Sequence, residues 1–126
     1  VPQQARGQAG VLDRERLDML RDLEPGDTSY LDRAIGNFVA RVPESVEAIR
    51  SAITSHDAGA LTQAAHRLKG SALNLGLAAV GHLAYELEML GDTGSTTGAT
   101  DLVDALEECL SEAVTEVLGY QTAHRA

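Results

Sequence analysis

A chain of 126 residues, 44% of them apolar, is long enough for one domain with a modest core and has no room for a nucleotide-using catalytic domain. Aromatic residues make up 3%, with one Phe and no Trp, so the core has to be Leu, Ala, Val and Ile packed between helices rather than a strand-rich fold. A formal charge of -9 opposes any sequence-independent grip on phosphate backbones or on an anionic lipid surface, which argues against nucleic acid and membrane as partners.

Residues 1–10 read as a flexible tail without the apolar stretch of a secretory signal, and from the start at Val1 rather than Met a processed or excised piece of a longer protein is expected. The expected domain covers 11–120, with a short tail over 121–126. Leu12, Leu17, Leu20 and Leu23 predict a short first helix from near Asp13, stopped by Pro25 and Gly26. Leu31, Ile35, Phe38, Val42, Val46, Ile49 and Ile53 follow at steps of three and four, a long amphipathic helix over about 28–54 that Pro43 is expected to kink. Asp57 is a good N-cap for a third helix over 58–75, and Gly76 suits the left-handed turn after it. A fourth helix over 77–90 is expected to close on Gly91 in the same way. The Gly-, Ser- and Thr-rich stretch 91–98 reads as a flexible loop. A fifth helix over about 99–118 carries the stripe Leu102, Val103, Leu106, Cys109, Leu110, Ala113, Val114 and Val117. Four long amphipathic helices with short connections mean an all-α, antiparallel up-down four-helix bundle, with the short N-terminal helix across one end. Cys109, the single cysteine, cannot close an internal disulfide and reads as a small buried hydrophobe. With no apolar run near the roughly 18 residues of a membrane span, a reducing, cytoplasmic setting is expected. The apolar stripes are consumed by one intramolecular core, so a monomer is expected as well.

On the third helix, at about 100° per residue, Leu61, Ala64, Leu68, Ala72 and Leu75 share the side that must face the core. His66 then points the opposite way. A lone histidine is ordinarily a plain surface or core group, and it is the neighbours that set this one apart. Lys69 stands at i+3 and Gly70 at i+4, so an ammonium group and a bare patch of backbone border the imidazole. Lys69 is also the only lysine in the chain. Aspartate and glutamate abound elsewhere, yet none occurs between Asp57 and Glu86. An alanine-rich core helix explains the buried positions but not the lack of carboxylates on the exposed face of an acidic protein. A phosphoryl group on His66 is therefore expected to find Lys69 within reach and no fixed negative charge nearby. Glycine inside a helix costs about 1 kcal/mol relative to Ala, and Gly70 is expected to let a partner's loop approach closely.

The run Ala65-His66-Arg67-Leu68-Lys69-Gly70-Ser71-Ala72, followed by Asn74-Leu75-Gly76, resembles the signature of histidine-containing phosphotransfer (HPt) domains of bacterial and plant phosphorelays. The preceding helix with Phe38, the Asp57 cap and the downstream Leu83-Ala84-Tyr85-Glu86-Leu87-Glu88 also fit, so the resemblance covers roughly 12–118. It implies that His66 is the phosphoacceptor, that Lys69 stabilises the phosphohistidine and that Gly70 gives access to a receiver domain. The implied partners are a response-regulator receiver domain and a sensor or hybrid histidine kinase. Mg²⁺ is expected on the receiver, and no cofactor or metal on this chain. No receiver or kinase domain lies within this stretch, which leaves the donor unassigned.

Thr62, Gln63 and Arg67 flank His66 as candidate partner contacts, and Leu73, within about 20° of His66 on the exposed face, suits a docking patch. His82 and Glu86 stand at i and i+4, a spacing open to a metal but better explained by hydrogen bonding in the absence of a third ligand. His56 and His124 read as solvated, and neither Ser71 nor Thr62 has the base and acid partners of a nucleophile. The leading function is that of a phosphorelay intermediate, a carrier without ATP-dependent kinase activity of its own. Neutral imidazole, abundant at pH 7 for a group of ordinary pKa about 6.5, would attack a receiver's aspartyl phosphate and later pass the phosphoryl group to another aspartate. Two alternatives stand beside it: the phosphoacceptor domain of a chemotaxis-type histidine kinase, and a structural or adaptor bundle with an inert histidine. A dimerising sensor-kinase helix pair fits less well, because its reactive histidine is usually followed four residues later by Pro and here by Gly70.

Overall fold

The computed structural model describes residues 13–23 and 28–123. Regular structure among them is entirely helical: α1 (Arg14–Arg21), α2 (Ser29–Thr54), α3 (Ala58–Asn74), α4 (Ala78–Asp92) and α5 (Ala99–Ala123). Helices α2 to α5 make an antiparallel up-down bundle in which α3 and α5 each pack on both α2 and α4 and lie on opposite corners. The stripes read from the periodicity form the core, with Leu31, Ile35, Ile49, Leu61, Leu68, Leu75, Val103, Leu106 and Leu110 all buried. Truncating one such side chain, Leu61→Ala for instance, removes about 2–5 kcal/mol. No helix of the described residues is long and apolar enough to cross a membrane.

The helix starts follow from local chemistry. Asp13 Oδ1 accepts the Arg16 N–H at 3.1 Å, and Asp57 Oδ1 accepts the Ala60 N–H at 3.0 Å, each satisfying a donor the first turn leaves over. α2 runs through Pro43 without ending, since the ring removes one N–H while the long buried stripe holds both flanks. Several boundaries differ from the sequence reading. Leu23 lies past the end of α1 and is exposed, while Leu12 and residues 1–10 are outside the described residues. α5 continues through most of the expected tail, to Ala123, because Tyr120 is buried and its hydroxyl donates to Asp18 of α1. That burial, with Asp18 beside it, pushes the phenol up to about 12. The rest of the tail, 124–126 with His124, lies outside the described residues. Cys109 is half-buried rather than enclosed; burial and then Glu112 push its thiol up.

Two glycines fix the α3–α4 hairpin in different ways. Gly76 has φ +73°, as its place after α3 requires, and a Cβ there would come within 2.8 Å of both Arg16 Cβ and Asp13 Cβ. α1 is therefore seated directly on this turn: the Asp13 N–H donates to Gly76 O at 2.8 Å, and Arg16 Nε donates to Asn74 O at 2.9 Å, capping the end of α3. Gly91 does not close α4 as expected. It is buried inside the helix, which runs on to Asp92, and the left-handed residue is Gly94 at φ +82°. Gly91 instead permits contact: a Cβ would lie 2.3 Å from Thr62 Oγ1, 2.8 Å from Ala58 O and 2.9 Å from Thr62 N. Gly70, by contrast, has nothing within 4 Å of where its Cβ would stand.

These environments give opposite outcomes for one substitution. Gly91→Ala is expected to lower stability by about 1–3 kcal/mol, because behind the Thr62 hydroxyl the atoms in the way, Ala58 O and Thr62 N, are backbone. Gly70→Ala is expected to raise it by up to about 1 kcal/mol through helix propensity. Equilibrium urea unfolding of the two variants measures both, and a loss of stability in Gly70→Ala would contradict the open environment of that residue.

Candidate functional site

The hairpin turn at Gly76 and Leu77 sets the register of α3 against α4. Leu73 lies over the bare backbone of Gly81, with Cδ2 2.5 Å from where a Cβ would be, and Thr62 meets Gly91 nearer the open end. Between these two close approaches, His66 stands opposite Glu88. Ala65 and Ala84, both fully buried, add no bulk between the helices, so the Glu88 side chain reaches across to α3.

Its two oxygens have separate partners. Oε2 lies 2.7 Å from His66 Nδ1, and Oε1 lies 2.7 Å from Lys69 Nζ. Oε1 is sealed from solvent and is held by the ammonium as an ion pair rather than by an aligned hydrogen bond. The ammonium also sits 5.3 Å from the centroid of the Tyr85 ring. Lys69 first, and His66 after it, hold the Glu88 carboxyl below the usual carboxylate range. An ionised carboxylate only accepts, so at neutral pH His66 Nδ1 carries the proton and donates it to Glu88. The lone pair is then on Nε2, across the ring, and the His66 side chain is 65% exposed against 14% for Glu88. A buried acceptor thus orients an exposed ring nitrogen, as the aspartate orients the histidine in a hydrolytic triad.

The expectation of no fixed negative charge near His66 is corrected here. Residues 58–85 do lack carboxylates, but α4 delivers one from beyond that stretch. An uncompensated carboxylate 4 Å from a unit anion costs about 4 kcal/mol at an effective dielectric near 20. Lys69 on the same carboxylate offsets a term of that size. Glu88 and Tyr85 entered the sequence reading only through the family resemblance, with no part in the site. The available signal was the hairpin itself, since Leu77 is equally far along the chain from His66 and from Glu88.

The remaining expected residues are brought together unequally. Gly70 is exposed beside His66, and Gln63 and Arg67 are exposed and border a shallow hollow of about 370 Å³ with Thr62, His66 and Glu88. Thr62 differs from expectation: it is half-buried, with its hydroxyl donating to Ala58 O at 3.1 Å. Leu73 is exposed but spends one edge on Gly81. His82 Nε2 and Glu86 Oε2 are 3.8 Å apart on the surface, and no group of His, Cys, Asp and Glu among the described residues is arranged to hold a metal ion. His56 is exposed at φ +54° just before the Asp57 cap.

The site is an exposed imidazole bonded to a carboxylate that a lysine neutralises, on one hairpin of a four-helix bundle. The chain belongs to the Hpt domain family, whose model matches residues 33–116, more than half of its length. Its role is phosphotransfer in two-component signalling, among histidine kinases and receiver partners. The fold is similar to that of histidine-containing phosphotransfer protein B (HptB) from Pseudomonas aeruginosa PAO1, with a TM-score of 0.81 and 22% identity, covering 92% of this chain and 97% of that one. It is similar as well to the HPT domain of the Hpt sensor hybrid histidine kinase from Shewanella, with a TM-score of 0.71 and 17% identity, covering 94% of this chain and 99% of that one. No curated protein matches the chain.

Removing Glu88 tests the orienting contact directly. In nitrogen-15 NMR at pH 8, His66 is expected to be mainly the Nδ1–H tautomer, and Glu88→Ala is expected to abolish that preference. The carboxyl is depressed from its ordinary 4.5, so its ion pair with Lys69 contributes stability above pH 4.5 that is lost as pH falls through the lower, folded-state value. An unchanged tautomer in Glu88→Ala would show that the contact does not orient the ring.

Proposed function

We propose that the protein is a phosphorelay intermediate that takes a phosphoryl group onto His66 from a receiver-domain aspartate and passes it to a response regulator. The observation that carries this reading is the 2.7 Å contact between His66 Nδ1 and Glu88 Oε2 beneath an otherwise open imidazole. The Nε2 lone pair attacks phosphorus, the bond from phosphorus to the aspartyl oxygen breaks, and the carboxylate leaves with its electron pair. The ring gains positive charge, which Glu88 stabilises through the Nδ1 proton. The return step is the same displacement run toward a second carboxylate, so no net proton moves. Mg²⁺ and most of the stabilisation of the transferring group come from the receiver, and this chain turns over no ATP of its own. Lys69 keeps Glu88 from repelling the phosphoryl group, and Gly70 leaves room for the receiver's loop.

Incubation with a phosphorylated cognate receiver is expected to label the wild type, leave His66→Gln unlabelled, and label Lys69→Ala more slowly. The label should be acid-labile and stable to base. Labelling of His66→Gln at the wild-type level would overturn the assignment. Gly70→Glu places a carboxylate on the exposed face beside His66, at a position where an added Cβ meets nothing within 4 Å. Its transfer rate is expected to fall about tenfold or more, a barrier increase of about 1.4 kcal/mol, with the melting temperature unchanged. A wild-type rate in this variant would remove the access role from Gly70.

A further inference from the structure

Along the α3–α4 hairpin, Leu73 rests on Gly81, Lys69 on Tyr85, His66 on Glu88 and Thr62 on Gly91. Close packing accounts for the contacts at the two glycines, and the orientation of the imidazole for the one at Glu88. Neither accounts for Tyr85. It is 46% exposed, so the core does not require it. Its hydroxyl has no hydrogen-bond partner among the described residues, so the phenol does not require it either. What the ring meets is a cation: the Lys69 ammonium lies 5.3 Å from its centroid, within the range over which a π face attracts positive charge.

Tyr85 and Glu88 stand at i and i+3 on one face of α4, and Lys69 reaches across from α3 to both. Its Nζ is 2.7 Å from Glu88 Oε1, the oxygen that is sealed from solvent. Among the described residues, Lys69 is the only permanently charged cation paired with this carboxylate, because the other partner, His66, is charged only when protonated. At neutral pH the cancellation of the Glu88 charge therefore depends on where one side chain stands. An ammonium on a long, flexible stem is strongly hydrated and free to turn toward water. A ring face beside it restrains the stem and occupies the volume that water would take. We infer that Tyr85 is a positioning residue for phosphotransfer: its ring face holds the Lys69 ammonium against Glu88, and so keeps that carboxylate from repelling a phosphoryl group that approaches His66. Tyr85 acts through Lys69, and the effect belongs to the π face rather than to the hydroxyl. This inference rests on the carrier function proposed above.

The test compares Tyr85→Phe, which keeps the ring, with Tyr85→Leu, which keeps an apolar side chain without a π face. Two donors are used: a phosphorylated receiver domain, and phosphoramidate, a small donor that needs no docking and from which Nε2 takes the phosphoryl group as the bond from phosphorus to nitrogen breaks and ammonia leaves. Tyr85→Leu is expected to be labelled about two- to fivefold more slowly than wild type by both donors, the rate equivalent of about 0.5–1 kcal/mol. Tyr85→Phe is expected to be labelled at close to the wild-type rate. In the Lys69→Ala background, Tyr85→Leu is expected to change the rate no further. Carbon-13 NMR gives a readout apart from transfer. The Glu88 carboxyl, held below its ordinary 4.5 chiefly by Lys69, is expected to titrate about half a pH unit higher in Tyr85→Leu and as in wild type in Tyr85→Phe. A wild-type rate with phosphoramidate, or an unmoved Glu88 titration, in Tyr85→Leu would overturn the inference and leave the carrier function standing. Slowing with the receiver alone would make Tyr85 a docking contact, and equal slowing in Tyr85→Phe would assign the effect to the hydroxyl; either result overturns the inference. If neither donor labels the wild type, the carrier function fails and the inference with it.

Discussion

The close approach of α3 and α4 is the constraint on which the site depends. Gly91 lets the backbone of α4 come against Ala58 and Thr62, and Gly81 does the same under Leu73. With Ala65 and Ala84 between those points, nothing holds the helices apart, and a glutamate side chain is long enough to bridge them. A methyl group at Gly91 would push α4 outward and with it the carboxylate that orients His66. Packing and reactivity are therefore one problem here: small residues inside the hairpin decide where a charged atom stands on its surface.

The electrostatics follow from that bridge. On the proposed function, a carboxylate under His66 favours the tautomer and the ring charge but opposes a dianionic phosphoryl group. Lys69, the only lysine in the chain, resolves the conflict by sitting on the second oxygen of the same carboxylate. The net charge of the Glu88–Lys69 pair is zero, while its directional effect on the imidazole is kept. Elsewhere charge is segregated. Arg50 ties α2 to the acidic α5, whereas Arg33, Arg41 and Arg67 line the groove between α2 and α3.

Much of this was legible in the sequence. The stripes at steps of three and four gave the helices, because burying a stripe is what stabilises a helix of this length. Asp57 and Gly76 gave the start and end of α3, since an N-cap acceptor and a left-handed residue act through atoms a few positions away. The outward direction of His66 follows from the same periodicity, and the signature from Ala65 to Gly76 gave the family. All of these are local properties, fixed by the helical repeat or by the residue's own backbone.

What lay beyond the sequence reading was every relation across the bundle. Gly91 looked like a helix terminator because glycine's conformational freedom is a local property, whereas its use here is the absence of a Cβ facing another helix. The carboxylate-free stretch 58–85 suggested a site without negative charge, but charge acts through space and Glu88 arrives from the neighbouring helix. The gathering of Arg33 and Arg41 from α2 with Arg67 from α3 depends on which faces the bundle turns toward each other. Helical period determines the side of its own helix on which a residue lies; only the packing of one helix against the next decides which residue of another helix it meets, because that depends on interhelical distance and register set by the smallest side chains at the contact.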